Sequence, residues 1–132
     1  MLVPHMAVTV RRIPFLMERE YRTAFYRVAS SLQFQPHVRG IIGESWWHSD
    51  ETHRVTPHLA FLNAPYLEAG AVKLDIGPAG PEDGFLEGSP ERAALYASGE
   101  YKPTIGVLVC SRAQALAWVQ ANAHLEAATR VR

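Results

Sequence analysis

Two periodicities alternate along this chain, and their order constrains its fold more than any other feature. Strand-like and helix-like patterns follow one another as β-α-β-α-β-α-β-α. Residues 7–12 alternate apolar and polar side chains, with Val8 and Val10 apolar. Residues 15–34 carry Met17, Tyr21, Ala24, Phe25, Val28 and Leu32 at helical spacing, and Pro36 ends that helix. Residues 38–47 read as a strand, and Gly40 and Gly43 within it point to a bulge or a close approach of another backbone. Thr56-Pro57 opens a helix with a capping hydroxyl and a proline at the first helical position. Gly70 is a natural terminator after residues 66–69. Residues 71–76 read as a buried strand, Val72, Leu74 and Ile76 alternating with Lys73 and Asp75. Residues 77–88 contain four glycines and two prolines and read as a long loop. Ser89-Pro90 opens a further helix that Gly99 closes. Residues 104–110 are the most strand-like run, with Ile105, Val107, Leu108 and Val109. Ser111 and Gln114 then form a capping box for a last helix carrying Leu116, Trp118, Val119 and Leu125. The alternation predicts an α/β (or α+β) fold: one small sheet of about four strands with helices packed against it, several connections being parallel crossovers.

The length of 132 residues suits a single domain over 1–132 with one core. Residues 1–6 read either as the remains of an expression tag or as native sequence, so residues 1–5 carry no weight in the fold expectation. An apolar share of 48% and a charged share of 20% are those of a soluble globular protein. Thirteen basic residues balance thirteen acidic ones, and no basic excess points to nucleic acid. A net charge near zero gives little colloidal repulsion, so a homodimer is expected. The single cysteine, Cys110, excludes an internal disulfide and makes a reducing cytoplasm the default. No run approaches the ~18 apolar residues of a membrane span, and no signal-peptide pattern is present. The expectation is a cytoplasmic protein with no membrane partner.

The candidate chemistry lies in residues 40–48. Gly40-Ile41-Ile42-Gly43 leads into Glu44, Ser45, Trp46, Trp47 and His48. Large rings beside titratable groups are what a small-molecule pocket needs. Ser45, Trp46, Trp47 and His48 are the expected ligand-binding residues. Glu44, between an apolar strand and two rings, is the candidate general base, since desolvation raises a carboxyl pKa toward neutrality. The bland reading makes it a solvated strand-end glutamate. His48, His53 and His58 are spaced five apart, which matches neither a helix face nor a strand face, so no metal site is expected. Cys110 ends an apolar strand just before a helix N-terminus. It reads as a buried structural thiol, with a nucleophile as the sharper alternative. The chain contains no Gly-x-Ser-x-Gly, no Gly-x-Gly-x-x-Gly and no phosphate loop.

Residues 56–109 resemble the C-terminal half of the GNAT acyltransferase fold. The likeness lies in a helix ending at Gly70, the strand Ala71-Val72-Lys73-Leu74-Asp75-Ile76, a short helix with Ala93-Ala94-Leu95-Tyr96, then Gly99, Tyr101 and the strand at 105–109. In that family the short helix sits beside the cofactor, and its tyrosine protonates the departing CoA thiolate. The resemblance therefore implies acetyl-CoA or another acyl-CoA as cofactor, transfer of an acyl group to an amine, and Tyr96 as the acid. The family's pyrophosphate loop, Gln/Arg-x-x-Gly-x-Gly/Ala, has no match within residues 44–59. The chain is also similar, over roughly residues 21–118, to a group of uncharacterised bacterial proteins. The shared pattern is Arg39-Gly40, Gly43, Ser45-Trp46, Pro57-His58-Leu59, Ser89-Pro90-Glu91-Arg92, Leu95-Tyr96 and Gly99.

Two functions are thus expected. One is an acyltransferase-like domain that binds a small acyl or amine ligand beside residues 44–48, with Glu44 as base and Tyr96 as acid. The other is a non-catalytic ligand-binding or protein-interaction module that self-associates, its tryptophans in the core or an interface. The missing pyrophosphate loop favours the second.

Overall fold

A computed structural model describes residues 17–126 of the chain. The strand expected at 7–12 lies outside the described residues. The first element is helix α1, Met17–Ser31, followed by a tight 3-10 turn, Leu32–Phe34. Its apolar stripe folds as its spacing demands: Tyr21, Phe25 and Leu32 are buried, with Tyr26 and Ala29 beside them, and Val28 is partly buried. Strand β1, Gly40–Ser45, follows and turns directly into a second 3-10 turn, Trp46–His48. Three short helical segments come next: α2, Asp50–Val55, then a 3-10 stretch, Pro57–Leu62, and α3, Ala64–Glu68. Strand β2 is Val72–Pro78, helix α4 is Pro90–Ser98, strand β3 is Thr104–Ser111 and helix α5 is Arg112–Ala121.

The sheet has the order β1-β3-β2, and both outer strands run antiparallel to β3. The described residues therefore form a mixed α/β fold with a three-stranded antiparallel sheet. The parallel crossovers expected from the alternation are corrected. β1 and β2 do run in the same direction, but β3 returns between them, so no parallel pair is formed. Alternation of strand and helix patterns carries no information on strand direction, because a helical connection of this length serves either return.

Antiparallel partners share a face. The pairs Ile41–Cys110 and Gly43–Leu108 place one set of side chains on the helix-bearing face. Ile41, Leu108 and Cys110 are fully buried there. Gly40 sits against the Cys110 backbone, the close approach that its presence in the strand predicts. The pairs Ile42–Val109, Glu44–Val107, Val72–Val109 and Leu74–Val107 define the opposite face. Here the reading of β2 as a buried strand is corrected: Val72, Leu74 and Ile76 are 59%, 52% and 60% exposed. Period-two alternation identifies a strand with two unlike faces, but it does not say which face the helices cover. In this fold they cover the face of Lys73.

The core is a layer of rings between the helices and the sheet. Phe25 meets Tyr66 and Trp118 edge-on at 4.8 and 4.9 Å, the geometry that the aromatic quadrupole favours. Arg22 grips Glu68 with two bonds of 2.8 and 2.7 Å, and the Trp118 indole N–H also donates to Glu68. The expected caps form at two helices. Ser89 Oγ accepts from Arg92 N, and Ser111 and Gln114 make the reciprocal capping box. Pro57 starts its segment as expected, but Thr56 caps nothing with its side chain.

Candidate functional site

The residues that follow β1 are positioned by a cap and by a missing side chain. Ser45 Oγ accepts from Trp47 N at 3.3 Å and bends the strand end into the 3-10 turn. That turn lies on Gly106 of β3, where a Cβ would stand 2.7 Å from the carbonyl carbon of His48. Only glycine lets the turn sit so close to the sheet.

The turn drives Trp46 and His48 inward. Trp46 is buried beneath Arg92, whose guanidinium carbon lies 5.0 Å from the ring centre, and beside Phe85 and Trp47. Arg92 is itself buried. It donates from Nε to the Phe85 carbonyl, from one terminal nitrogen to Thr56 Oγ1, and from the other to the Glu87 carbonyl. Burial lowers its pKa, and the nearby Tyr101 and Glu91 oppose that; a guanidinium still keeps its charge. Thr52 Oγ1 donates to the Trp46 carbonyl, which leaves the Tyr101 hydroxyl as donor to Thr52 at 2.7 Å. His53 Nε2 donates to the Trp47 carbonyl at 2.7 Å.

His48 is held by Asn63. The Asn63 amide nitrogen donates to the His48 carbonyl, so its Oδ1 faces the ring and accepts from Nδ1–H at 2.6 Å. Nε2 then carries the lone pair. It points toward Gly43, where a Cβ would lie 3.0 Å from Nε2 and 2.7 Å from the Tyr66 hydroxyl. Burial is the main force on this imidazole and pushes its pKa down to about 4, against the Asn63 bond. His48 is neutral near pH 7.

The other predicted site residues fall into two groups. Ser45, Trp46, Trp47 and His48 form one turn, and Tyr96 joins them through Phe85, which it meets edge-on at 4.9 Å. Glu44 is exposed, and its pairing with Val107 turns it to the face opposite His48. The sheet lies between the candidate base and His48. Cys110 is fully buried, donates weakly to the Ser111 carbonyl at 3.6 Å, and is pushed up to about 11 by burial. It is a structural thiol, not a thiolate nucleophile. His58 is exposed, away from the bonded pairs of His48 and His53, and among the described residues no three His, Cys, Asp or Glu side chains converge.

Sequence reasoning missed Asn63, Tyr66, Thr52 and Tyr101. They lie between 4 and 55 positions from Trp46 or His48, and no local pattern marks Asn63, Tyr66 or Thr52. Arg92 and Tyr101 did stand in the family-like patterns, Ser89-Pro90-Glu91-Arg92 and Gly99 with Tyr101, without a role. Among the described residues no buried side-chain nitrogen or oxygen is left without a hydrogen-bond partner. No family model, curated protein or solved structure matches the chain.

Proposed function

We propose that the chain is a non-catalytic interaction module that works as a homodimer. The observation that carries this reading is the row Val72, Leu74 and Ile76, each more than half exposed on a strand that is at the sheet edge among the described residues. Contiguous exposed aliphatics mark an interaction site. Thr52, His53 and Asn63 support the same reading, because their hydrogen bonds hold the turn. Sedimentation at micromolar concentration tests it. The expected result is a species of twice 14.7 kDa; a single species near 14.7 kDa rejects it.

Tyr96, half-buried in the ring cluster with Trp46 and Arg92 nearby, favours a second reading. This is an acyltransferase-like domain that takes acetyl-CoA or another acyl-CoA and passes the acyl group to an amine, with Tyr96 as acid and Glu44 as base. The position of Glu44 across the sheet weighs toward the first reading. Acetyl-CoA at ~100 times its dissociation constant adds about 2.7 kcal/mol to stability. An unchanged melting temperature in excess acetyl-CoA rejects this second reading.

A further inference from the structure

We infer that two copies of this chain join edge to edge through β2, antiparallel, about a two-fold axis that passes through Leu74 perpendicular to the sheet. The inference rests on the homodimer reading and names its interface. Among the described residues β2 pairs with β3 along one edge only. Its regular stretch is short. The register is irregular between Asp75 and Pro78, and Pro78 has no N–H to give. Pairing therefore centres on the regular stretch Val72-Lys73-Leu74-Asp75, with Ile76 at the start of the irregular segment.

The run 72–76 is complementary to its own reverse. With Leu74 opposite Leu74 of the second copy, Val72 faces Ile76 and Lys73 faces Asp75, each twice by symmetry. Directly opposed side chains in an antiparallel pair lie close enough to interact, unlike charges favourably and like charges unfavourably. A perpendicular two-fold keeps each residue on its own face, so the register moves only in steps that recentre the axis by one residue. An axis at Lys73 sets lysine against lysine, and an axis at Asp75 sets aspartate against aspartate. Only the axis at Leu74 opposes unlike charges. The same operation puts the helices of both copies on one side and brings the exposed row of Val72, Leu74 and Ile76 against its counterpart on the other. Lys73 already donates to Asp50 at 2.7 Å, and Asp75 accepts from Thr104 at 3.0 Å. Both bonds are compatible with the new pairs, since an ammonium has three donors and a carboxylate accepts several bonds. The product is one continuous six-stranded sheet, β1-β3-β2-β2-β3-β1.

Sedimentation of the full chain and three variants tests this. Leu74→Lys sets two ammonium groups together at the axis and is expected to abolish the dimer. Lys73→Glu opposes two carboxylates at each of two symmetric positions and raises the dissociation constant on the order of tenfold. Adding Asp75→Lys to Lys73→Glu reverses both charges, restores opposition of unlike charges, and recovers most of the affinity. A wild-type dimer that both Leu74→Lys and Lys73→Glu leave unchanged overturns this interface while the homodimer reading stands. Failure of the double reversal to recover any affinity overturns the register. A wild-type chain that stays monomeric overturns both, and the edge then belongs to a different polypeptide.

Discussion

Burying His48 as a neutral ring ties the stability of the turn after β1 to pH. Its folded pKa of about 4 lies below that of a free imidazole. Between those values the unfolded chain binds more protons than the folded one, so stability falls as pH drops from about 6.5 to about 4 and this contribution is level above that window. The difference amounts to roughly 3 kcal/mol. Urea unfolding at pH 7 and at pH 4 checks it. In His48→Gln the loss on acidification is expected to shrink by about that amount, and an equal loss in both proteins overturns the assignment. The sequence made residues 44–48 legible as an unusual gathering of rings and polar groups. It did not make Asn63 legible, because an asparagine fifteen positions away becomes a partner only when the chain folds. Nor did it place Glu44 and His48 on opposite sides of the sheet. Strand alternation ends at Ser45, and the 3-10 turn that follows re-aims each later side chain.

Helix α1 is the element that the sequence specified best. Its stripe of Tyr21, Phe25 and Ala29, continued by Leu32 of the 3-10 turn, is long enough to define a face, and that face meets the ring layer. Phe25→Ala is expected to cost ~3–5 kcal/mol, the usual loss for a buried phenylalanine. A denaturant titration that finds the variant as stable as the parent contradicts the packing. The starts of α4 and α5 were equally legible, since Ser-Pro and the Ser111/Gln114 box act within four residues. α2 was not, because six residues hold too little periodicity to read. Thr56 failed as a cap for a different reason. Its hydroxyl accepts from Arg92, thirty-six positions later, a tertiary bond that outweighs the local preference.

At the scale of the whole molecule, Arg92 joins parts that lie apart in sequence. Its three nitrogens reach the Phe85 carbonyl, Thr56 Oγ1 and the Glu87 carbonyl, so the glycine-rich segment, the junction between α2 and the 3-10 stretch, and α4 are tied to one fork. A lysine supplies a single ammonium and cannot span those directions. Arg92→Lys is expected to cost ~1–3 kcal/mol, the range for buried acceptors left unmet. Thermal unfolding measures this, and an unchanged midpoint refutes the role. The three tryptophans occupy different environments in this arrangement. Trp118 is bonded to Glu68 in the helical layer, Trp46 lies under a guanidinium, and Trp47 is half-buried. Each indole is thus an optical reporter of its own district. Variants that keep one tryptophan at a time would show whether the helical layer and the turn melt at one temperature or separately.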